Sequence, residues 1–187
     1  EREVIRLMVD RFRRAIPADV NERAERLQMD LHEIVTLASL IEKEAQQDSE
    51  RGLISAVFHN RLRLRMPLQS DPTAVYMVSR ERRRITSSDL QRKSPYNTYL
   101  VQGLPPGPIA NPGLASLRAA LNPAPVPYLY FVAKNDGSHH FSRTLEQHQQ
   151  AVRLYQGGGR PGQERAAPAD PGVGTDGPGR PPSAAGS

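Results

Sequence analysis

Two glutamates, Glu42 and Glu44, lie in an otherwise largely apolar stretch that runs from Leu37 to Ala45. A carboxyl group at the edge of apolar surface has its charged form disfavoured, so its pKa rises and it can hold a proton near neutral pH. Such a group can donate that proton to a leaving oxygen and later accept one as a base. The pair therefore indicates acid chemistry.

The helical periodicity of this segment does not choose between the two carboxylates. At about 100° per residue, Glu42 and Glu44 lie about 160° apart on a helix, so they cannot both enter one cleft. They flank the apolar stripe at similar angles. The structural alternative is that both are simply the edges of a half-buried helix.

Apolar spacing predicts three helices around this segment. An amphipathic pattern from Val4 to Ile16 predicts the first helix, which Pro17 ends. The second, which carries both glutamates, begins at Asp30, where Glu33 completes a capping-box pattern. A regular apolar stripe over residues 53–62 predicts the third.

The second half of the sequence changes from helical to irregular, and then to a hairpin. Residues 66–113 are rich in prolines, which fix φ and remove donors, so we expect rigid loops of the kind that commonly build sites. The elements predicted after them are a helix over 114–121, a strand over 128–133, a turn at 135–137, a partner strand over 138–142 and a last helix from Thr144 to about Tyr155. The predicted fold class is α+β, with amphipathic helices first and a hairpin and closing helix last.

Length and composition predict one domain over residues 1–156 and a disordered tail over 157–187. About half of the tail is Gly or Pro, and Val173 is its only sizeable aliphatic residue, so it cannot offset the entropy of ordering. Because the chain has no Cys, disulfides and thiolate sites are excluded. No apolar run reaches membrane-spanning length, and a start at Glu1 inside a helical pattern predicts a fragment of a longer chain.

The net charge of +5 favours anionic partners without naming one. Arginine supplies most of the charge, in clusters at Arg61, Arg63, Arg65 and at Arg80, Arg82, Arg83, Arg84. A solvated basic face explains such clusters more simply than a binding patch. A nucleic-acid-binding module is disfavoured, because the few aromatic residues lie away from the basic runs. We therefore expect no nucleic-acid partner.

Six short blocks follow one another in an order that resembles the YceG-like endolytic murein transglycosylases of the MltG type. The blocks are residues 40–44 (LIEKE), 58–62 (FHNRL), 68–73 (LQSDPT), 94–99 (SPYNTY), 103–113 (GLPPGPIANPG) and 128–133 (YLYFVA). The resemblance covers residues 1–156. It departs mildly at Ser70, where the family usually has Thr, and across residues 74–78.

The resemblance implies that Glu44, the second glutamate of the pair, is catalytic. Members of the family cleave the β-1,4 bond between N-acetylmuramic acid and N-acetylglucosamine in nascent peptidoglycan, which limits glycan strand elongation. The C6 hydroxyl of the muramic acid attacks internally and leaves a 1,6-anhydro end. Because no water is activated and no protein nucleophile is needed, one carboxyl can be acid and then base, where most glycosidases use two.

Polar residues in the rigid loops and at the hairpin are predicted to contact the sugar. The predicted substrate-binding residues are Gln69, Asp71, Tyr96, Asn97, Ser138 and His140. Turn and cap chemistry is an equally good explanation for each of the four loop residues, Gln69, Asp71, Tyr96 and Asn97. His139, His140 and His148 raise the question of a metal, but adjacent residues of a strand point to opposite faces and make poor joint ligands. We expect no metal and no cofactor.

The resemblance also implies partners and a location. Members carry an N-terminal transmembrane helix and a LysM-like domain upstream, so we expect a single-pass anchor in the cytoplasmic membrane and this domain on the extracytoplasmic side. Glycan strands are the expected partner, and cell-wall synthases are a further class that the resemblance suggests. The alternative function is a catalytically inactive module that binds peptidoglycan or a synthase.

Overall fold

The computed structural model describes residues 2–78 and 85–157. In this part of the chain, helices and one two-stranded β-hairpin form an α+β arrangement. The elements are α1 (Arg2–Ala15), α2 (Val20–Arg26), α3 (Leu31–Glu44), a 3₁₀ turn (Asp48–Glu50), α4 (Arg51–Arg63), α5 (Asp71–Ala74), α6 (Ser87–Leu90), α7 (Leu114–Leu121), β1 (Tyr130–Ala133), β2 (His139–Ser142) and α8 (Leu145–Gln156). The arginine cluster at residues 80–84 and the predicted tail from 158 onward lie outside the described residues.

The central helix α3 begins at the predicted capping box. The Asp30 carboxylate accepts a hydrogen bond from the Glu33 amide (2.7 Å), and the Glu33 carboxylate accepts one from the Asp30 amide (2.8 Å), so two donors of the first turn are satisfied. The helix ends after Glu44, because Ala45 turns to extended backbone with ψ of 121°. Glu44 is thus the last residue of α3.

The core forms where α3 packs against α4 and α7. Its centre includes Ile34, Leu37, Leu40, Ile41, Ile54 and Phe58, all fully buried. The proline-rich loop before α7 is attached to this core through a buried serine on α3, because Ser39 Oγ accepts a hydrogen bond from the Ile109 amide at 3.0 Å. The loop therefore runs along α3 in a fixed position.

The hairpin pairs β1 and β2 in antiparallel register, with Phe131 opposite Phe141. Its turn uses two left-handed residues, Asn135 (φ 67°) and Gly137 (φ 84°), as the Asn-Asp-Gly sequence predicts. One face of the sheet packs on α4, where the rings of Phe131 and Phe58 lie 6.0 Å apart in an edge-to-face contact. The other face packs on α8.

Three short helices, α2, α5 and α6, were not predicted. Helix α2 buries only two residues, Val20 and Ala24. Two apolar positions are too few to show a helical period in the sequence. The helices α5 and α6 have four residues each, and they correct the prediction of uninterrupted loops over 66–113. A capping box in which Thr86 accepts from the Asp89 amide starts α6.

The N-terminal helix α1 makes few contacts with the core. Its N-terminal half exposes Val4, Ile5, Leu7, Met8 and Val9, each at least 41% accessible. Phe12 and Ile16 are the residues of this region that pack against the core. Over residues 2–78 and 85–157, no helix combines the length and apolar character that crossing a bilayer requires.

Candidate active site

Glu44 lies half-buried at the end of α3, where a hydroxyl from another segment reaches it. Ser70 Oγ donates a hydrogen bond to Glu44 Oε1 at 2.6 Å. Burial is the largest effect that raises the pKa of Glu44, and the charge of Asp71 adds to it; against the opposing hydrogen bond from Ser70, the net pKa is about 7. Near neutral pH both the protonated and the ionised forms of this carboxyl are therefore populated, which suits a group that must give and then take a proton.

Glu42 lies on the opposite flank of α3 in a different setting. Its Oε2 accepts a hydrogen bond from Ser116 Oγ at 2.6 Å. The same oxygen accepts from the Gly113 amide at 3.2 Å and from Arg51 Nη1 at 3.3 Å. The Ser116 hydrogen bond is the largest effect that lowers the pKa of Glu42, and Gly113 and Arg51 add to it against desolvation. Glu42 is thus an ionised carboxylate that joins α3 to α7 and α4.

The backbone before α5 is shaped so that the Ser70 hydroxyl meets Glu44. Gln69 takes a left-handed conformation (φ 51°), which is uncommon for a residue with a side chain. Its amide donates to the Thr98 carbonyl at 3.0 Å, and the Ser70 amide donates to Thr98 Oγ1 at 3.0 Å. A buried hydrogen bond of 2.8 Å between the hydroxyls of Thr73 and Thr98 closes this network. The segment over residues 69–73 is therefore fixed by a second loop.

Gln69 and Asp71, two predicted sugar contacts, flank Ser70 in this segment. The Gln69 side-chain oxygen accepts a hydrogen bond from Arg61 Nη1 at 3.1 Å. The Asp71 carboxylate accepts one from the Tyr99 hydroxyl at 2.5 Å. Both predicted residues are only partly buried, and they lie on either side of the serine that contacts Glu44.

Asn97 was predicted to contact sugar, but the structure argues against this. The residue is fully buried. Its Nδ2 donates to the carbonyls of Leu90 (3.0 Å) and Arg92 (2.8 Å), and its Oδ1 accepts from the Tyr99 amide (3.1 Å). Because both polar atoms of its side chain bond backbone groups, Asn97 stabilises the loop. This agrees with the alternative explanation of turn and cap chemistry.

Tyr96 lies toward the other end of α3. Its ring contacts that of Tyr76, with centroids 4.8 Å apart. A Cβ atom placed on Gly107 would lie 3.6 Å both from the Tyr96 hydroxyl and from the ring of His32, in the first turn of α3. Twelve residues of helix separate His32 from Glu44, which corresponds to about 18 Å. The structure therefore does not bring Tyr96 to Glu44.

The hairpin turn, which contains Ser138, lies beside the end of α3. A Cβ atom on Gly137 would lie 3.3 Å from the side-chain oxygen of Gln46, two residues after Glu44. The Ser138 hydroxyl donates to Asp136 Oδ1 at 2.7 Å, a contact within the turn. The turn therefore contacts the segment that follows Glu44, and the Ser138 hydroxyl itself is used within the turn.

His140 and the neighbouring His139 point to opposite faces of the hairpin, as predicted. The His140 ring lies 5.7 Å from that of Tyr155 on α8. The buried His139 instead bonds Glu50, with Nδ1 2.7 Å from Oε2. His140 is thus directed toward α8, away from the face that packs on α4. In residues 2–78 and 85–157 no three His, Cys, Asp or Glu side chains are gathered as a metal would need.

Sequence reasoning missed three side chains of this region. Ser70 appeared only as a departure from the family pattern, and Tyr99, which bonds Asp71, was not selected. Arg61 was grouped with the exposed basic residues, yet it is only 7% exposed. Its place in the apolar stripe of α4 was the available signal, since an arginine at a core-facing position is unusual.

A separate groove of about 650 Å³ lies between α1, α2 and α7. The charged residues that line it are Arg11, Arg14, Asp19, Arg23 and Arg118. None of the predicted site residues borders it, so it is distinct from the surroundings of Glu44.

Comparison with known proteins identifies the family. Residues 1–154 match the family model described as YceG-like. The chain belongs to the YceG-like family. A crystal structure of a YceG-like protein from Listeria monocytogenes matches this chain with a TM-score of 0.65 and 44% identity, over 71% of this chain and 43% of that one. The α+β fold expected from the resemblance is thereby confirmed.

Curated relatives of this chain carry a functional name. A Bacillus subtilis (strain 168) protein named endolytic murein transglycosylase is 48% identical over 125 residues, which cover 67% of this chain and 35% of the relative. A Streptococcus pneumoniae (strain D39) protein of the same name is 36% identical over 128 residues, covering 65% of this chain and 23% of the relative. The chain thus spans about a third or less of the length of these relatives.

Proposed function

We propose that this YceG-like domain is the catalytic part of an endolytic murein transglycosylase, with Glu44 as its single catalytic acid and base. The observation that carries the proposal is the half-buried Glu44 carboxyl, whose pKa is raised to about 7 and which bonds Ser70 at the end of α3. The name shared by the curated relatives supports the reaction class. The opposite setting of Glu42, held as an anion by three donors, supports the choice of Glu44.

In the proposed reaction, protonated Glu44 gives its proton to the glycosidic oxygen between N-acetylmuramic acid and N-acetylglucosamine. The bond from C1 to that oxygen breaks, and N-acetylglucosamine leaves with a hydroxyl at C4. The C6 hydroxyl of the muramic acid then attacks C1 and returns its proton to Glu44, which yields a 1,6-anhydro end. No water is consumed, so a second carboxylate to activate water is not needed.

Gln69 and Asp71 are the proposed substrate contacts, since they flank Ser70 and keep part of their surface exposed. Ser138 is a weaker candidate because its hydroxyl bonds Asp136 within the turn. Tyr96 and His140 remain predictions from the sequence without a supporting contact near Glu44. The proposed reaction requires neither a metal nor a cofactor.

For the longer protein to which such a domain belongs, we propose peptidoglycan glycan strands as the substrate and termination of their growth as the role. Cell-wall synthases as partners, a single-pass membrane anchor upstream and an extracytoplasmic location for this domain are further expectations from the family resemblance. A domain that binds strands or synthases without cleaving them is the competing function.

Mass spectrometry of products from purified glycan strands tests the proposal. The parent chain should release anhydromuramyl ends, which are lighter by one water than reducing ends. Glu44→Gln keeps the size and the Ser70 contact but cannot release a proton, so we expect the rate to fall by about 10² to 10⁴. Glu42→Gln is the matched control, and its product should keep the same mass. Strand binding by the parent without any anhydro product would favour the competing function.

A further inference from the structure

Arg61 is a buried cation that pairs with no carboxylate among the described residues. It is 7% exposed, and the ion pairs found over residues 2–78 and 85–157 do not include it. Burying a charge costs free energy unless hydrogen bonds compensate for it. The groups that accept hydrogen bonds from Arg61 therefore indicate what an arginine does at this position of α4.

Arg61 donates hydrogen bonds to the residue that precedes β1 and to the segment that precedes Ser70. Its Nε donates to the Leu129 carbonyl at 2.7 Å. Its Nη1 donates to the carbonyls of Pro67 (3.1 Å) and Leu68 (3.0 Å) and to the side-chain oxygen of Gln69 (3.1 Å). The guanidinium carbon also lies 5.1 Å from the centroid of the Tyr130 ring. These contacts fix the position of the Arg61 side chain, and Arg61 in turn fixes the segment that leads to Ser70.

This contact fixes which way the Gln69 amide is turned. Arginine carries donors and no acceptor, so the amide oxygen of Gln69 must be the atom that faces Arg61. The NH₂ group of Gln69 is then directed away from Arg61. It donates no hydrogen bond within the described part of the chain, and the residue is only partly buried. A fixed donor is thus available one residue before the serine that touches Glu44.

We propose that Arg61 is a positioning residue that orients the Gln69 amide so that its NH₂ recognises the acetamido carbonyl of an N-acetylated sugar. The inference rests on the proposed function and adds a determinant of specificity to it. An acetamido oxygen is an amide acceptor, a better partner for an N–H donor than a sugar ether oxygen. In N-acetylated glycans this group sits at C2, beside the C1 atom whose bond would break near Glu44.

The test measures binding, so that it does not depend on turnover. In a Glu44→Gln background, affinity is compared for N-acetylated strands and for strands whose acetyl groups have been removed to leave amines. We expect the chain with Gln69 to bind N-acetylated strands about tenfold more tightly than the amine-bearing strands. This factor corresponds to one hydrogen bond from the Gln69 NH₂, which the amine-bearing strand cannot accept and so leaves unpaired. Gln69→Glu keeps the oxygen that Arg61 holds but replaces the donor by an anion. It should reverse the preference toward the amine-bearing strands.

Arg61→Lys tests the positioning itself. It keeps the charge but loses the planar fork, so the preference for N-acetylated strands should fall to near unity. Arg63→Lys is the matched control, since Arg63 is exposed and bonds only Asn60 in the described part of the chain. It should leave the preference unchanged.

The inference is overturned if Gln69→Glu keeps the preference for N-acetylated strands, if Arg61→Lys keeps it in full, or if neither strand binds. If Arg61→Lys shows no cooperative unfolding transition and is therefore not folded, Gln69→Glu still tests the inference, because that variant retains the hydrogen bond to Arg61. Absence of anhydro product from the chain with Glu44 intact would instead count against the proposed function alone.

Discussion

The two flanks of α3 carry carboxylates two residues apart that have opposite electrostatic settings. On one flank, Glu42 accepts hydrogen bonds from Ser116, Gly113 and Arg51, and its pKa is lowered. On the other, Glu44 accepts from the Ser70 hydroxyl, and burial raises its pKa to about 7. One carboxylate therefore stabilises the packing of helices, whereas the other is poised to exchange a proton.

The difference between these flanks arises from residues that are distant in sequence. Ser70 is 26 positions from Glu44, and Ser116 is 74 positions from Glu42. Both glutamates make similar angles with the apolar stripe, so their local sequence gives them nearly the same burial. The two glutamates differ in the segments that cover them. Glu42 meets an arginine, a backbone amide and a hydroxyl, whereas Glu44 meets only a hydroxyl in the described part of the chain.

The largest effect on stability should come from Glu44, and it should depend on pH. Because the folded pKa of about 7 lies above the ordinary value of 4.5, the folded state binds more protons than the unfolded state between these pH values. Stability therefore falls as pH rises through that window. Glu44→Gln removes this loss, so urea unfolding at pH 8 should show the variant more stable by roughly 3 kcal/mol, with little difference at pH 4.

A Glu44→Gln variant that is less stable than the parent at pH 8 would contradict this expectation. It would mean that the ionised Glu44 is stabilised by its surroundings, as Glu42 is, and the contrast between the flanks would disappear. Glu22→Gln is a suitable control, because Glu22 pairs only with Arg26 in the described part of the chain and its side chain is 69% exposed. Its effect should be close to zero at both pH values.

Glu42→Gln should have the opposite sign. The amide keeps an acceptor for Ser116 but loses the charge that attracts Arg51 and Gly113, so we expect a loss of about 1–2 kcal/mol at pH 7 in urea unfolding. Since the pKa of Glu42 is lowered in the fold, its contribution is present above pH 4.5 and is lost as pH falls through the folded pKa. The variant and the parent should therefore converge in acid, and a loss that is independent of pH would contradict this.

Much of the scaffold could be predicted because its signals are local. The capping box of Asp30 and Glu33, the hairpin turn with Gly137 and the Thr144 cap of α8 each depend on residues within a few positions. The strand bounds shifted slightly, since β1 begins at Tyr130 where 128 was predicted. Side-chain chemistry that acts within one turn is visible in a sequence.

The parts that could not be predicted depend on tertiary contacts. Asn97 looked suited to a sugar, but the carbonyls of Leu90 and Arg92 occupy it. Arg61 looked like part of a basic surface, but it is buried against Leu68 and Gln69. In both cases the residue type was compatible with two environments, and only the path of a distant loop decides between them.

The smallest expected effect is on the pH dependence of cleavage, and it addresses the Glu44 flank directly. If Glu44 is the acid, the basic limb of kcat/KM reports its pKa in the chain without substrate. The Ser70 hydrogen bond lowers this pKa and the charge of Asp71 raises it. Ser70→Ala should therefore move the basic limb to higher pH, and Asp71→Asn should move it to lower pH.

Ser70→Thr keeps a hydroxyl within reach of Glu44, so its basic limb should stay with that of the parent. Shifts of Ser70→Ala and Asp71→Asn in the same direction would show that both variants merely perturb the loop. If neither moved the limb, the proton that limits cleavage would belong to a group other than Glu44. Opposite shifts, with the threonine variant unmoved, require that the titrating group accept a hydrogen bond from residue 70 and feel the charge of residue 71. Glu44 is the carboxyl that meets both conditions among the residues described.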